Sequence, residues 1–160
     1  MPRADVVCLV VPVALVSLAL LLSLRRGAWE SEAAVIRRLR RRLSAAHELR
    51  RVQRRVYEVL QTWQIVPLPR GSLSYTDAGA IHLTVLVSEQ QPYDDLTLLH
   101  VLTHEACHAA GERLHDASFF ARQAECLSAL VADGLLQPGL PPCPSYPAVI
   151  LGVRHSAGSI

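Results

Sequence analysis

Apolar residues follow several rhythms along the 160-residue chain. From Val6 to Leu24 they are continuous: VVCLVVPVALVSLALLLSL holds nineteen positions without a charge. As a helix that run would be about 28 Å long, close to the hydrocarbon thickness of a bilayer. From Trp29 to Trp63 the apolar positions recur at steps of three and four, with no Gly or Pro between them. Ile36, Leu39, Leu43, Ala46, Leu49, Val52, Val56, Val59, Leu60 and Trp63 form the stripe of one amphipathic helix. From Ile81 to Val87, IHLTVLV alternates, which predicts a strand, with a further short β candidate near Leu73 to Tyr75. The intervening IVPLPRGSLSYTDAGA has the composition of loop and turn. Pro92 ends the extended run, and Asp94 or Asp95 is placed to cap the next helix.

These rhythms divide the chain into a short tail (1–5), a membrane segment (6–24), an Arg-rich amphipathic helix (27–63), a core (64–137) and a Pro-rich C-terminal tail (138–160). The expected fold class is α+β, with helices packed on a short sheet behind an N-terminal transmembrane helix. A cleaved secretory signal is the weaker reading of 6–24. Its apolar stretch exceeds the usual signal core of about 7–15 residues and runs into Arg25 and Arg26 with no small-residue cleavage site.

Charge sets the expected orientation. All sixteen basic residues are Arg, and eleven of them fall between Arg25 and Arg55. The excess of Arg after the apolar run places the C-terminal body in the cytoplasm by the positive-inside rule, as a single-pass membrane protein. The Arg helix itself admits three readings. It is a solvated face around a packed stripe, a surface for anionic lipid beside the membrane segment, or a nucleic-acid surface. The last is disfavoured because stacking aromatics are scarce and no base-reading motif appears. The four cysteines, Cys8, Cys107, Cys126 and Cys143, are widely spaced without a CxxC pair, which fits neither a disulfide framework nor a thiolate zinc site.

Candidate chemistry lies in HVLTHEACHAAGERLHDASFF, residues 100–120, which holds four of the seven histidines. Residues 104–108 read HEACH. On a helix, His104 and His108 sit one turn apart on one face and can share a zinc ion at about 2.1 Å each. Glu105 projects from the adjacent edge, where a carboxylate can act as general base toward water activated by the metal. A third ligand is needed. His115 would lie about 10 Å farther along an unbroken helix, so the chain must break first, and Gly111 is placed to break it. Asp116 then caps a second helix, 117–133, ending at Gly134. Glu125 on that helix is a rival third ligand. His100 shares the His104 face as a frame-shifted ligand, a supporting group, or an ordinary helix residue. Cys107 faces away from the His pair and reads as a core thiol, while His82 and His155 are isolated.

The stretch LLHVLTHEACHAAGERLHDASFF resembles the active-site region of the WLM and SprT-like zinc metallopeptidases. In WLM domains an HExxH helix is followed by a His-Asp-x-x-Phe signature, matched here by His115, Asp116 and Phe119. His115 falls one residue later than the WLM spacing, and Ala109 stands where those proteins often carry Asn. The upstream order is also similar: a helix, the Trp of TWQIVPL, a strand, then the active-site helix. Minimal domains of this sort are similar to predicted metallopeptidases of large DNA viruses. The resemblance implies a small zincin-like fold, one zinc ion, and a peptide or protein substrate pairing with Ile81–Val87 as an edge strand. Tyr93 and Tyr146 are candidates for a transition-state hydrogen bond. The expectation is thus a membrane-anchored zinc metallopeptidase with Glu105 as general base. A non-catalytic, membrane-tethered zinc-binding module and a nucleic-acid-associated protease are its rivals.

Overall fold

A computed structural model of the chain describes residues 30–111 and 114–140. The Arg-rich stripe folds as three helices rather than one: α1 (Glu32–Ser44), α2 (His47–Val52) and α3 (Arg54–Thr62). The apolar register is kept throughout, with Leu39, Leu43, Ala46, Leu49 and Val56 sealed in the core. The breaks come from partners distant in sequence. The carboxylate of Asp133 accepts the backbone N–H groups of Glu48 at 2.9 Å and Leu49 at 3.2 Å. It thereby caps α2 at a point where the local residues offer no side-chain cap. Arg40 donates to the carbonyls of Gln61 and Trp63, so the end of α3 is tied back to α1.

Arg38 and Arg42 both pair with Asp95, and Arg42 also donates to the Leu135 carbonyl at 2.9 Å. Burial would raise the Asp95 pKa, but the hydrogen bonds from Arg38 and Arg42 outweigh it and hold the carboxyl below its ordinary value. Three of the clustered arginines therefore direct donors inward, to fasten α1 to the rest of the domain.

Five short strands follow: β1 (Gln64–Leu68), β2 (Tyr75–Asp77), β3 (Ala80–Thr84), β4 (Leu86–Ser88) and β5 (Gln91–Pro92). β1 runs parallel to β3, with Ile65 opposite Ile81 and Leu68 opposite Thr84. β2 runs antiparallel to β3, with Thr76 opposite Ile81. The order is β1-β3-β2, and β4 pairs with β5 separately. Gly79, at φ +93°, closes the tight β2–β3 turn.

The strand expected over Ile81–Val87 is thus split at Val85 and lies in the middle of its sheet. Both sides of β3 are occupied, so it is not the edge that an extended ligand meets. The edges of this sheet are β1 and β2, and β2 is the one that lines the cleft described below. The split has a physical cause: the Thr84 N–H is taken by the Ser74 hydroxyl at 3.1 Å, and the Val85 carbonyl accepts from Tyr93 N–H at 2.9 Å.

Two longer helices complete the domain, α4 (Asp95–Ala109) and α5 (Ala117–Ala132). Asp94 caps α4 by accepting from Thr97 N–H at 2.7 Å. Every residue of α4 from Thr97 to Cys107 is buried, because β2, β3, α3 and α5 all pack against it. A helix enclosed on all sides needs no polar face. Of its chargeable site residues, His104 and Glu105 are consequently buried, and His108, nearer the helix end, is half-buried.

The described fold is α+β, with helices packed on short sheets. The expected transmembrane helix over 6–24 lies outside the described residues. Among the described residues no helix is long and apolar enough to cross a membrane. The longest have 16 and 15 residues, short of the roughly 20 apolar residues a crossing requires. Over the described residues the fold class is therefore corrected to an α+β domain that contains no membrane-crossing helix. The expected single-pass localisation with a cytoplasmic body is corrected to the same extent: no described helix carries it.

Candidate metal centre

The carboxyl-terminal turn of α4 carries His104 and His108, and the helix stops immediately afterwards. The Gly111 N–H bonds back to the His108 carbonyl at 3.0 Å, with Gly111 at φ +121°, a conformation that side-chain-bearing residues rarely adopt. The chain then returns to place His115 ahead of α5. Asp116 caps α5, accepting from Phe119 N–H at 3.0 Å and from the Ser118 hydroxyl at 2.8 Å. Those bonds, with that from Phe119 the largest influence, hold the Asp116 carboxyl below its ordinary pKa. Gly111 and Asp116 thus do what their positions in the sequence suggested.

The result is a triangle of imidazole nitrogens. The Nε2 atoms of His104 and His108 are 3.2 Å apart, those of His108 and His115 3.1 Å, and those of His115 and His104 3.0 Å. Three ligand nitrogens on one tetrahedral zinc, at about 2.0–2.1 Å each, would lie about 3.3–3.4 Å apart. The edges found here fall only a few tenths of an ångström short of that, so the donor set fits one small ion. Its three rings form a group that can hold a metal.

Phe119 supports the triangle. Its side chain is fully buried, and its ring centroid lies 4.8, 4.5 and 4.9 Å from those of His104, His108 and His115. The ring is stacked on His108 and edge-on to the other two. The spacing of Asp116 and Phe119 thereby acquires a physical meaning: the cap starts the helix, and the aromatic three residues later forms the floor under the ligands.

Burial graduates across the triad. His104 is 4% exposed, His108 half-buried and His115 exposed. Burial, followed by the nearby rings of His108 and His115, lowers the His104 pKa to about 3, against the opposing pull of the Gln123 amide. Burial and then His108 also lower that of His115. Both rings are therefore kept neutral, the state in which imidazole binds metal. The His104 Nδ1 is sealed from solvent without a well-aligned hydrogen bond. The buried side chain of Gln123, from α5, is the polar neighbour that acts on the His104 ring.

Glu105 is 4% exposed. Burial raises its pKa, and a hydrogen bond from Thr76 opposes that rise. The Thr76 hydroxyl lies 2.8 Å from Oε2 and 3.0 Å from the backbone carbonyl of the same residue. A cleft of about 690 Å³ opens over the three histidines and Glu105, walled by β2, Trp63 and Leu73.

The remaining sequence candidates fall elsewhere. The His100 ring is turned to the Leu96 carbonyl, 2.9 Å from Nδ1, so it is not in the triad. Glu125 is exposed and accepts from Gln53, leaving His115 as the third member. Cys107 is buried in the core, and its hydrogen bond, followed by burial, raises the Cys126 thiol. Tyr93 is a core residue, His82 stacks on Tyr75 at 4.3 Å, and Tyr146 and His155 lie outside the described residues. Thr76 and Gln123 carried no signal in the sequence, because each reaches the site from an element whose placement depends on the whole fold.

Comparison with known proteins finds no matching family model, no matching curated protein and no matching solved structure.

Proposed function

We propose that this domain is a zinc-dependent metallopeptidase in which His104, His108 and His115 hold the ion and Glu105 is the general base. The observation that carries the reading is a buried carboxylate beside three converging imidazoles, all opening into one cleft. The resemblance of residues 98–120 to WLM and SprT-like peptidases points the same way. Zinc bound there would supply Lewis acidity and lower the pKa of a water molecule at its open position to about 7.

The chain's own residues supply the rest. Glu105 takes a proton at its carboxylate and returns it to the leaving amine; its burial makes it a stronger base than an exposed carboxylate. β2 offers an unpaired edge along the cleft, where an extended peptide adds as a further strand through main-chain hydrogen bonds. Leu73 and Tyr75, 65% and 46% exposed, together with Trp63 give the cleft an apolar wall for substrate side chains.

The test is Glu105→Gln in the full chain, assayed on a quenched-fluorescence peptide library with zinc content measured in parallel. Hydrolysis should fall about 10²–10⁴-fold with one zinc retained per chain. Unchanged hydrolysis would remove Glu105 from its role. A wild-type chain that binds zinc and cleaves nothing would favour a non-catalytic metal-binding module.

A further inference from the structure

We propose that Thr76 is a positioning residue for Glu105, holding the carboxylate in line with the cleft from the free-edged strand β2. The need for such a residue rests on the peptidase reading; the geometry does not. Glu105 is buried yet lines the cleft, so its carboxylate must be held toward the opening. The Thr76 hydroxyl is the group that meets Oε2, at 2.8 Å, and it also lies 3.0 Å from the Glu105 carbonyl.

A hydroxyl has one proton and two lone pairs. Facing a carboxylate, Thr76 donates its proton to Oε2. From the same place it reaches the Glu105 carbonyl, so one side chain grips both the backbone and the carboxylate of Glu105. Valine at this position would keep the β-branched shape that suits a strand and lose only this bond.

β2 adds a coupling to substrate. Thr76 pairs with Ile81 on the inner side of the strand, while the outer edge is the one an extended chain would occupy. A peptide paired there stiffens the strand that holds the base. Thr76 is thus placed to affect turnover more than binding.

The experiment uses full-length, zinc-loaded protein as wild type, Thr76→Val and Thr76→Ser. Three quantities are measured: zinc per chain, affinity for acetohydroxamate, and kcat and KM on the quenched peptide library. Acetohydroxamate chelates zinc and presents a proton that a well-placed carboxylate accepts. Thr76→Val should keep one zinc, weaken acetohydroxamate about ten-fold and lower kcat by a similar factor with KM within about two-fold. Thr76→Ser should restore both. Wild-type affinity in Thr76→Val, loss of its zinc, or failure of serine to rescue would each overturn the assignment. Should the wild type cleave nothing while the valine variant still weakens acetohydroxamate and serine restores it, Thr76 keeps its role and the peptidase reading falls. Should Glu105→Gln abolish cleavage while Thr76→Val behaves as wild type throughout, only the role of Thr76 falls.

Discussion

Truncating Phe119 to alanine tests whether the histidine triangle is a packed object or a chance meeting of surface side chains. The ring is fully buried and lies within 5 Å of all three imidazole centroids. Removing a buried Phe side chain costs roughly 3–5 kcal/mol, the upper end applying where the cavity cannot collapse. Three aromatic contacts, each worth about 0.5–1.5 kcal/mol beyond buried area, place this ring toward the top of that range, so the metal-free variant should lose about 4–5 kcal/mol. Against a typical domain stability of about 5–15 kcal/mol that is a large fraction. At roughly 4–8 °C per kcal/mol, Tm should drop by roughly 16–40 °C. The assay is thermal unfolding followed by circular dichroism, once in chelator and once in added zinc. Zinc at about 100 times the wild-type Kd should stabilise wild type by about 2.7 kcal/mol. If the lost floor weakens zinc binding about ten-fold, the variant gains only about 1.4 kcal/mol at the same concentration. A variant within about 1 kcal/mol of wild type in chelator would show that the ring is not packed as described. A full loss of stability in chelator combined with an undiminished zinc increment would show that Phe119 supports the fold but not the ligands.

Asp95→Asn removes the charge that Arg38 and Arg42 share and should cost about 1–2 kcal/mol, discounted because all three side chains are part-exposed. The Asp95 pKa is lowered on folding, so its contribution is complete above the unfolded value of about 3.9 and is lost as pH falls through the folded value. Urea melts at pH 7 should therefore separate the variant from wild type, and the gap should narrow progressively as pH is lowered below about 3.9. Gly111→Ala should cost about 1–3 kcal/mol through backbone strain alone, since φ is +121° and no atom lies within 4 Å of the added Cβ. Zinc competition with a chromogenic chelator should show weaker binding as well, through displacement of His115; equal affinity would mean that another conformation serves the turn. Gln123→Leu should weaken zinc about 10–100-fold by removing the polar group behind His104. Unchanged affinity in the same competition assay would reduce Gln123 to a packing residue.

Which side chains are buried was legible in the Arg-rich stripe, but where the helix bends was not. Leu39, Leu43, Leu49 and Val56 keep their steps of three and four whether the helix is straight or broken, because each short helix still turns the same face to the core. The break between α1 and α2 is fastened by Asp133 reaching the N–H groups of Glu48 and Leu49, a contact spanning 85 residues for Glu48. No window around Ala45 contains it. The expectation that Ile81–Val87 is one unbroken edge strand failed for a related reason. IHLTVLV alternates correctly for a strand, but alternation gives the two faces of a strand and says nothing of its two edges. Which strand is central was decided by Thr76 pairing with Ile81 and Ile65 pairing with Ile81 on the other side.

The histidine triad was legible because it is local. His104 and His108 are joined by one helical turn, and Gly111 and Asp116 fix the return of His115 within a dozen residues. The groups that set the electrostatics are distant. Thr76 stands 29 residues from Glu105, and Gln123 reaches His104 from the opposite helix. The division follows from what each must do. A metal-binding triangle tolerates errors of a few tenths of an ångström and can be built by one chain segment with a single glycine turn. Neutral, oriented imidazoles and a buried, oriented carboxylate require a low-dielectric wall, which only packed helices and a sheet provide. A short peptide spanning residues 100–120 should therefore bind zinc through the same histidines yet lack both the depressed His104 pKa and the strong base. The chemistry proposed for Glu105 belongs to the folded domain, and the motif alone would not perform it.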